Sequence, residues 1–299
     1  MLSIIIPFYK IAFFDTTMQS LANQTNKNFN VFIGDDASPD DCSSLLIKFK
    51  NKFNFEYKRF ETNLGRTSLT QQWERCIALS DDAEWIMILG DDDFLGENVI
   101  AEFYNNLEEI NKYACNVVKF ATQKVDVRTN TSSKLYENLK LEDAASFYFG
   151  RFSGNKRSSL SEHIFKKNVY AKYGFKNYPL AWYSDDYAWL SFAEKKPIYC
   201  INSGVVKIHI SSESISGSDK DLNLKNLAAA QFHLDVVKTK LPLFSRAQRI
   251  KLLYQTEIWI LKTNKISTTE WKVLGKAYFA NFSTIAVLKF IRRFFKQFL

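Results

Sequence analysis

Residues 85 to 94, WIMILGDDDF, constrain this chain more than any other stretch. Trp85, Ile86, Met87, Ile88 and Leu89 run without alternation and stop at Gly90, the pattern of a strand buried on both faces of a parallel sheet. Three carboxylates follow at once, Asp91, Asp92 and Asp93. In open α/β sheets ligands bind beyond the carboxyl ends of the strands, so these acids stand where chemistry is expected. Like charges this close repel unless something positive joins them. A hard divalent cation shared with a substrate diphosphate would supply that charge, and carboxylate oxygens suit it. The same residues also read as a solvated acidic turn leading into a helix near Glu97.

The rest of the first half repeats this grammar. Apolar runs at 2–7, 29–34 and 53–60 predict strands, and segments 15–24, 41–50 and 67–79 predict helices. The second strand, FNVFIG, also breaks at a glycine into paired acids, Asp35 and Asp36. Strands alternating with helices predict a doubly wound, mostly parallel sheet. A helix over 97–113 and a strand over 116–121 continue it; then 126–141 turns polar, 142–149 reads as a short helix, and RFSGNKRSS at 151–159 as a basic loop. Such a loop either closes over an anionic substrate or is merely solvated.

Two later segments carry chemistry. YPLAWYSDDYAW at 178–189 joins Asp185 and Asp186 to Trp182 and Tyr183. Aromatic faces beside a carboxylate suit a sugar ring, and a carboxylate there can act as a general base. A capped helix with an aromatic core face is the alternative. Residues 198–210 read as two short strands around Asn202 to Gly204, ending at His209, which offers a metal ligand, a phosphate contact or a structural histidine. Ser211, Ser212, Ser214 and Ser216 follow.

With 46% hydrophobic content, the 299 residues can bury a sizeable core. Met1 runs straight into an apolar strand without a basic leader, so a cytoplasmic protein is expected. Four scattered cysteines lack zinc or disulfide spacing and read as ordinary buried thiols. The net charge of +8 is uneven: residues 216–299 hold 15 Lys and Arg against 5 Asp and Glu, leaving 25 against 27 for the rest. A nucleic-acid enzyme would spread its basic residues around the acidic sites, so no nucleic-acid partner is expected. Segments 222–238, 245–261 and 268–280 predict helices packed on the catalytic part. In the tail, 286–299, helical spacing places Lys289, Arg292, Arg293 and Lys296 on one side and Leu288, Ile291, Phe294, Phe295 and Phe298 on another. That pattern fits a helix lying in a membrane interface, or one docked on the protein with its charges in water.

Six segments in order resemble the inverting GT-A glycosyltransferases of family 2: IIPFYK, FIGDDASPD, NLGRTS with QQWERCI, ILGDDDF, SDDYAWL and KIHISSESIS, covering about 1–216. The resemblance implies a Rossmann-like GT-A sheet flanked by helices, with a C-terminal helical extension. It implies a nucleotide-sugar half at 1–115, an acceptor half at 116–216 and a basic helical region at 217–299. Pro7, Tyr9 and Asp36 take positions that hold the base and ribose, and Asp91 stands on the ribose side. Asp92 matches the metal carboxylate, with Asp93 and His209 as further ligands of Mn2+ or Mg2+. Asp186 matches the general base, with Trp182, Tyr183 and Asp185 on the acceptor side, and Arg66 or Arg75 is available to phosphate.

Three departures stand out. Gly90 replaces an expected acid, and Ser191 and Thr70 replace common arginines. No QxxRW is present, which predicts one sugar added per encounter to a saccharide or lipid-linked oligosaccharide at the inner membrane face. A nucleotidyltransferase would normally carry a glycine-rich loop after the first strand, and IIPFYKIAFF has no glycine. A noncatalytic sugar-nucleotide or polysaccharide-binding subunit is the remaining alternative.

Overall fold

The computed structural model describes residues 1–80, 82–211, 221–281 and 283–298, with residues 297 and 298 by backbone alone. The predicted Ser212, Ser214 and Ser216 therefore lie outside the described residues. Strands are β1 (Leu2–Phe8), β2 (Phe29–Asp35), β3 (Phe55–Arg59), β4 (Trp85–Ile88), β5 (Phe94–Leu95), β6 (Val117–Asp126), β7 (Thr131–Ser132), β8 (Leu141–Glu142), β9 (His163–Lys166) and β10 (Ile198–Ile210).

They form one sheet in the order β3-β2-β1-β4-β9-β6-β10-β5, with β7 on β6 and β8 on β10. The first four strands are parallel, as the alternation predicts. The run that opened the sequence argument is fully enclosed: Trp85, Ile86, Met87 and Ile88 are all buried. Removing such side chains from water stabilises the fold by about 1.5–3 kcal/mol each. Gly34 explains why the second run ends as it does. A Cβ there would lie 2.2 Å from Cys76 Sγ, so only glycine lets the helix Leu69–Ile77 pack on the end of β2. That helix is capped by Ser68, which accepts from Gln71 N.

Three elements differ from the sequence reading. Strand β9 has no counterpart in it; it runs antiparallel to both β4 and β6 and joins the two parallel groups. Segment 198–210 is one strand, whose register shifts between Ile201 and Val205, so the apparent turn is a bulge. The helix expected over 97–113 is two, Val99–Asn105 and Leu107–Lys112. The Asn106 side chain donates to Glu102 O at 2.8 Å, competing with the helical ladder at the break.

The chain divides into two units, Met1–Asn177 with Ala188–Ser218, and Tyr178–Tyr187 with Asp219–Leu299. The first holds the sheet. In the second, the helices Leu222–Thr239, Arg246–Thr263, Thr268–Ala280 and Thr284–Phe298 follow one another. Capping boxes at Ser245/Gln248 and Ser267/Glu270 start the middle two. The last helix docks on the one before it through Phe290, whose ring lies 4.6 Å from Tyr278 and 5.2 Å from Trp271. Arg293 does not join the outward basic stripe. Its guanidinium is held bidentately by Glu257, at 2.6 and 2.8 Å, because that buried carboxylate needs a cation.

Candidate active site

Parallel pairing of β1 with β4 sets the exits of these two strands side by side. The main-chain N–H groups of Tyr9 and Lys10 both donate to Asp91 Oδ2 at 2.8 Å, so consecutive amides clamp that carboxylate. Thr17 ties the turn from below: its hydroxyl donates to Asp93 O at 2.8 Å and Asp91 O at 3.1 Å. Asp93 is held from the other side, by the Ser161 hydroxyl on Oδ2 and by His209 N on Oδ1 at 3.1 Å. Ser161 Oγ also accepts from Gly90 N at 3.0 Å. Only Asp92, half-buried, accepts no hydrogen bond from another described residue.

The electrostatics follow from burial. It pushes the Asp91 carboxyl up to about 6, with the neighbouring Asp92 charge adding to the effect and the Tyr9 and Lys10 amides opposing it. Asp93 is raised well above the usual carboxylate range by burial and then by Asp92. Asp92 itself is raised by burial and eased by the Lys10 charge. Three carboxylates share a turn whose protein donors do not balance their charge. His209 sits against this turn, its ring edge-on to Phe13 at 4.8 Å and Phe94 at 4.9 Å. Burial lowers its pKa, opposed by the nearby Asp92 main chain, and Nδ1 is buried without a partner among the described residues.

This donor set fits a hard divalent cation. The chain does not cage one alone, since no group of three His, Cys, Asp or Glu among the described residues has metal-holding geometry. Asp92 would hold it with Asp93 and His209 adjacent, the remaining ligands coming from a diphosphate and water. Gly90 belongs to the same design. A Cβ there would stand 3.1 Å from both Asp92 Oδ1 and Asp93 Oδ2, so a side chain would crowd the carboxylates.

The acid pair after β2 is finished differently. Asp35 accepts from Ser38 N at 2.7 Å, from Arg59 Nη1 at 2.8 Å and from the Tyr57 hydroxyl. Asp36 accepts from Leu64 N at 2.7 Å and Gly65 N at 2.9 Å and pairs with Arg75. Arg75 also donates to Thr62 O at 2.8 Å and stacks on Phe60 at 3.9 Å, so it is committed to this loop rather than to phosphate. Arg66 is the exposed arginine of the 63–67 turn. Pro7 pairs in register with Gly34, and Tyr9 is exposed with its carbonyl accepting from Ser38 Oγ at 2.6 Å. Thr70, where an arginine is common, is buried and donates to Asn177 Oδ1 at 3.0 Å.

Asp185 and Asp186 occupy the first turn of the helix Ser184–Phe192, where the helix dipole favours acids, and Asp186 is buried. The loop before them is strained: Leu180, Ala181 and Tyr183 have φ of 58°, 52° and 70°. Such backbone persists only where its surroundings hold it, and it clusters at functional sites. Tyr183 stacks on Phe232 at 4.7 Å and 10°, so one of its faces is covered. Trp182 is half-buried with the Lys225 ammonium 4.9 Å from its ring centroid.

A model of glycosyl transferase family 2 matches residues 3–164, more than half the chain. The chain belongs to glycosyl transferase family 2. Crystal structures of S. aureus TarS share its GT-A fold. TarS 1–349 in complex with UDP-GlcNAc gives a TM-score of 0.65 at 14% identity, over 94% of this chain and 80% of that one. The complex of the same fragment with UDP gives 0.60 at 14% identity, over 92% and 79%. The longer TarS structure gives 0.63 at 14% identity, and this chain spans 50% of its length while 95% of this chain is covered. No curated protein matches the sequence. For a family 2 fold, the residues that sequence reasoning passed over are Thr17 and Ser161. Neither belongs to a recognisable motif, because each acts from a distant segment on the acid turn.

Proposed function

We propose that this chain is an inverting, non-processive glycosyltransferase that moves one sugar from a nucleoside-diphosphate sugar to a saccharide acceptor. One observation carries the reading: the Asp91–Asp93 turn at the carboxyl end of β4, with Asp92 left open and its neighbours locked. The UDP-GlcNAc complex of TarS supports a UDP-sugar as the first donor to test. Residues 1–115 would bind the donor, with Pro7, Tyr9 and Asp36 shaping the base and ribose site, Asp91 orienting the ribose side and Arg66 reaching phosphate. Residues 116–216, with Trp182, Tyr183 and Asp185, would receive the acceptor.

Asp186 is assigned as the base. It takes the proton from the acceptor hydroxyl as that oxygen bonds to the anomeric carbon, and the bond from that carbon to the diphosphate oxygen breaks. A single displacement inverts the anomeric configuration. Asp92, with Asp93 and His209 beside it, would hold Mn2+ or Mg2+, which would supply positive charge to the departing diphosphate. Burial of Asp93 beside it would limit screening of that charge by water.

The tail supports work at a membrane surface, with a lipid-linked oligosaccharide as acceptor and the cytoplasmic leaflet as the site. Leu288 and Phe295 are exposed, at 62% and 59%, on the same helix as the exposed Lys289, Arg292 and Lys296. Each basic residue adds about 1 kcal/mol near anionic lipid. No helix among the described residues is long and apolar enough to cross a membrane.

A screen of UDP-, GDP- and dTDP-sugars with and without Mn2+ tests the catalytic reading. Metal-dependent turnover of one donor, absent in Asp92→Ala, is expected; no metal-dependent binding of any donor would sink it. Vesicle flotation with phosphatidylglycerol tests the tail, and unchanged partitioning of Leu288→Glu/Phe295→Glu would remove the membrane assignment.

A further inference from the structure

A cavity of about 470 Å3 opens at the carboxyl ends of β6 and β10 and is not used by the donor reading above. Its lining is cationic. Lys124, Arg128 and Arg157 face one carboxylate, Asp126, which Arg128 already holds at 2.9 and 2.6 Å. Lys124 has no carboxylate in ion-pair reach among the described residues. Arg157 is 3.7 Å from Glu162, but that carboxylate is committed to Lys119 at 3.0 Å in full burial. Positive charge is left over in the wall.

A second observation points to a ligand. Ser158 lines the same cavity at 8% exposure, and its Oγ is buried with no hydrogen-bond partner among the described residues. A buried hydroxyl left unpaired destabilises the fold, and an anionic ligand oxygen would satisfy it. Lysine, arginine and hydroxyl donors around one space suit a phosphoryl group. The volume exceeds what a bare ion needs and falls within the roughly 300–1,000 Å3 of organic-ligand pockets.

The place in the sheet says which substrate. Because β9 is antiparallel to both β4 and β6, the ends of β6 and β10 share an edge with the acid turn. That turn has two sides. Asp91 is tied to the β1 exit loop carrying Lys10, whereas Asp93 is tied to Ser161 and to His209, the residue before Ile210 in the cavity wall. Lys10 belongs to the β1 side of the turn, whereas the wall residues Ser158 and Ile210 belong to the segments that hold Asp93.

We propose that this cavity binds a phosphoryl group of the acceptor, so that the enzyme glycosylates a phosphate-bearing molecule held by Lys124, Arg157 and Ser158. This rests on the transferase reading. Calorimetric titrations of the full chain with inorganic phosphate, glycerol 3-phosphate, acetate and UDP with Mn2+ test it. Glycerol 3-phosphate is expected to bind more tightly than inorganic phosphate, Lys124→Gln to weaken both at least tenfold and Ser158→Ala about threefold, with UDP affinity unchanged in both variants. Phosphate affinity unmoved by Lys124→Gln overturns the site. Acetate binding as tightly as phosphate overturns the phosphoryl class, and glycerol 3-phosphate binding no tighter than phosphate overturns the organic ligand. UDP affinity falling in step with phosphate affinity gives the cavity to the donor and overturns the acceptor assignment. Failure of UDP to bind while phosphate binding remains sensitive to Lys124 removes the transferase reading alone and upholds the phosphoryl site.

Discussion

Two strands of the sheet end in a glycine followed by acids, and they have opposite fates. After β2, Asp35 and Asp36 are matched from within, by Arg59, Arg75 and main-chain amides. After β4, Asp91 and Asp93 are anchored by neutral donors, while Asp92 faces only the through-space charge of Lys10. The first pair therefore holds a loop in place, and the second group is built to be completed by something external. The same local sequence pattern thus yields either scaffold or site, according to whether the fold pairs an arginine directly with it.

The largest expected effect tests the second half of that contrast. Asp92→Asn should lower kcat/KM by about 10³-fold or more, as loss of a transition-state charge contact does, while the urea midpoint stays near that of the parent. Activity within tenfold of wild type would break the comparison. Its counterpart is Arg75→Met, which leaves Asp36 buried and unpaired. It should cost about 3 kcal/mol of stability in urea unfolding, and a cost near zero would mean Asp36 is not a scaffold residue.

The pH dependence sharpens the difference. Asp91 has a folded value of about 6 against an unfolded value of 3.8, so between these the folded state holds the extra proton. Stability from this group is present below about 4 and is lost as pH rises through 6, by roughly 2–3 kcal/mol. Urea midpoints of the metal-free protein from pH 4 to 7 should fall accordingly, and Asp91→Asn should flatten the slope in that window. The smallest effect is expected from Gly90→Ala. Its Cβ presses on Asp92 and Asp93, so Mn2+ affinity should drop a few-fold in a calorimetric titration, with stability changed by only about 0.5 kcal/mol.

Much of this architecture was legible because it is written locally. The runs 2–7, 29–34 and 85–89 are strands because uninterrupted apolar residues need cover on two faces, and the acids beyond them fall where a parallel sheet places its crevice. Strand β9 was not legible: four residues, His163–Lys166, carry no alternation and become a strand by filling the space between β4 and β6. The bulge in β10 was misread as a turn because Asn202 to Gly204 has turn composition. In the fold, Gly204 is needed where a Cβ would come within 2.9 Å of Phe120. Arg293 was counted with the membrane-facing charges because helical spacing alone cannot show that Glu257 waits 36 positions earlier.

The sequence by itself determined the alternating α/β plan, the family and the positions of three acidic groups, since each is encoded by residues within a few positions of one another. Only the tertiary structure decided which acids are neutralised and which are left open. It also decided that Thr17 and Ser161 hold the open ones and that Lys124, Arg157 and Ser158 share a cavity. Charge compensation and hydrogen bonding depend on distances of a few ångströms, and between segments far apart in the chain those distances exist only after folding.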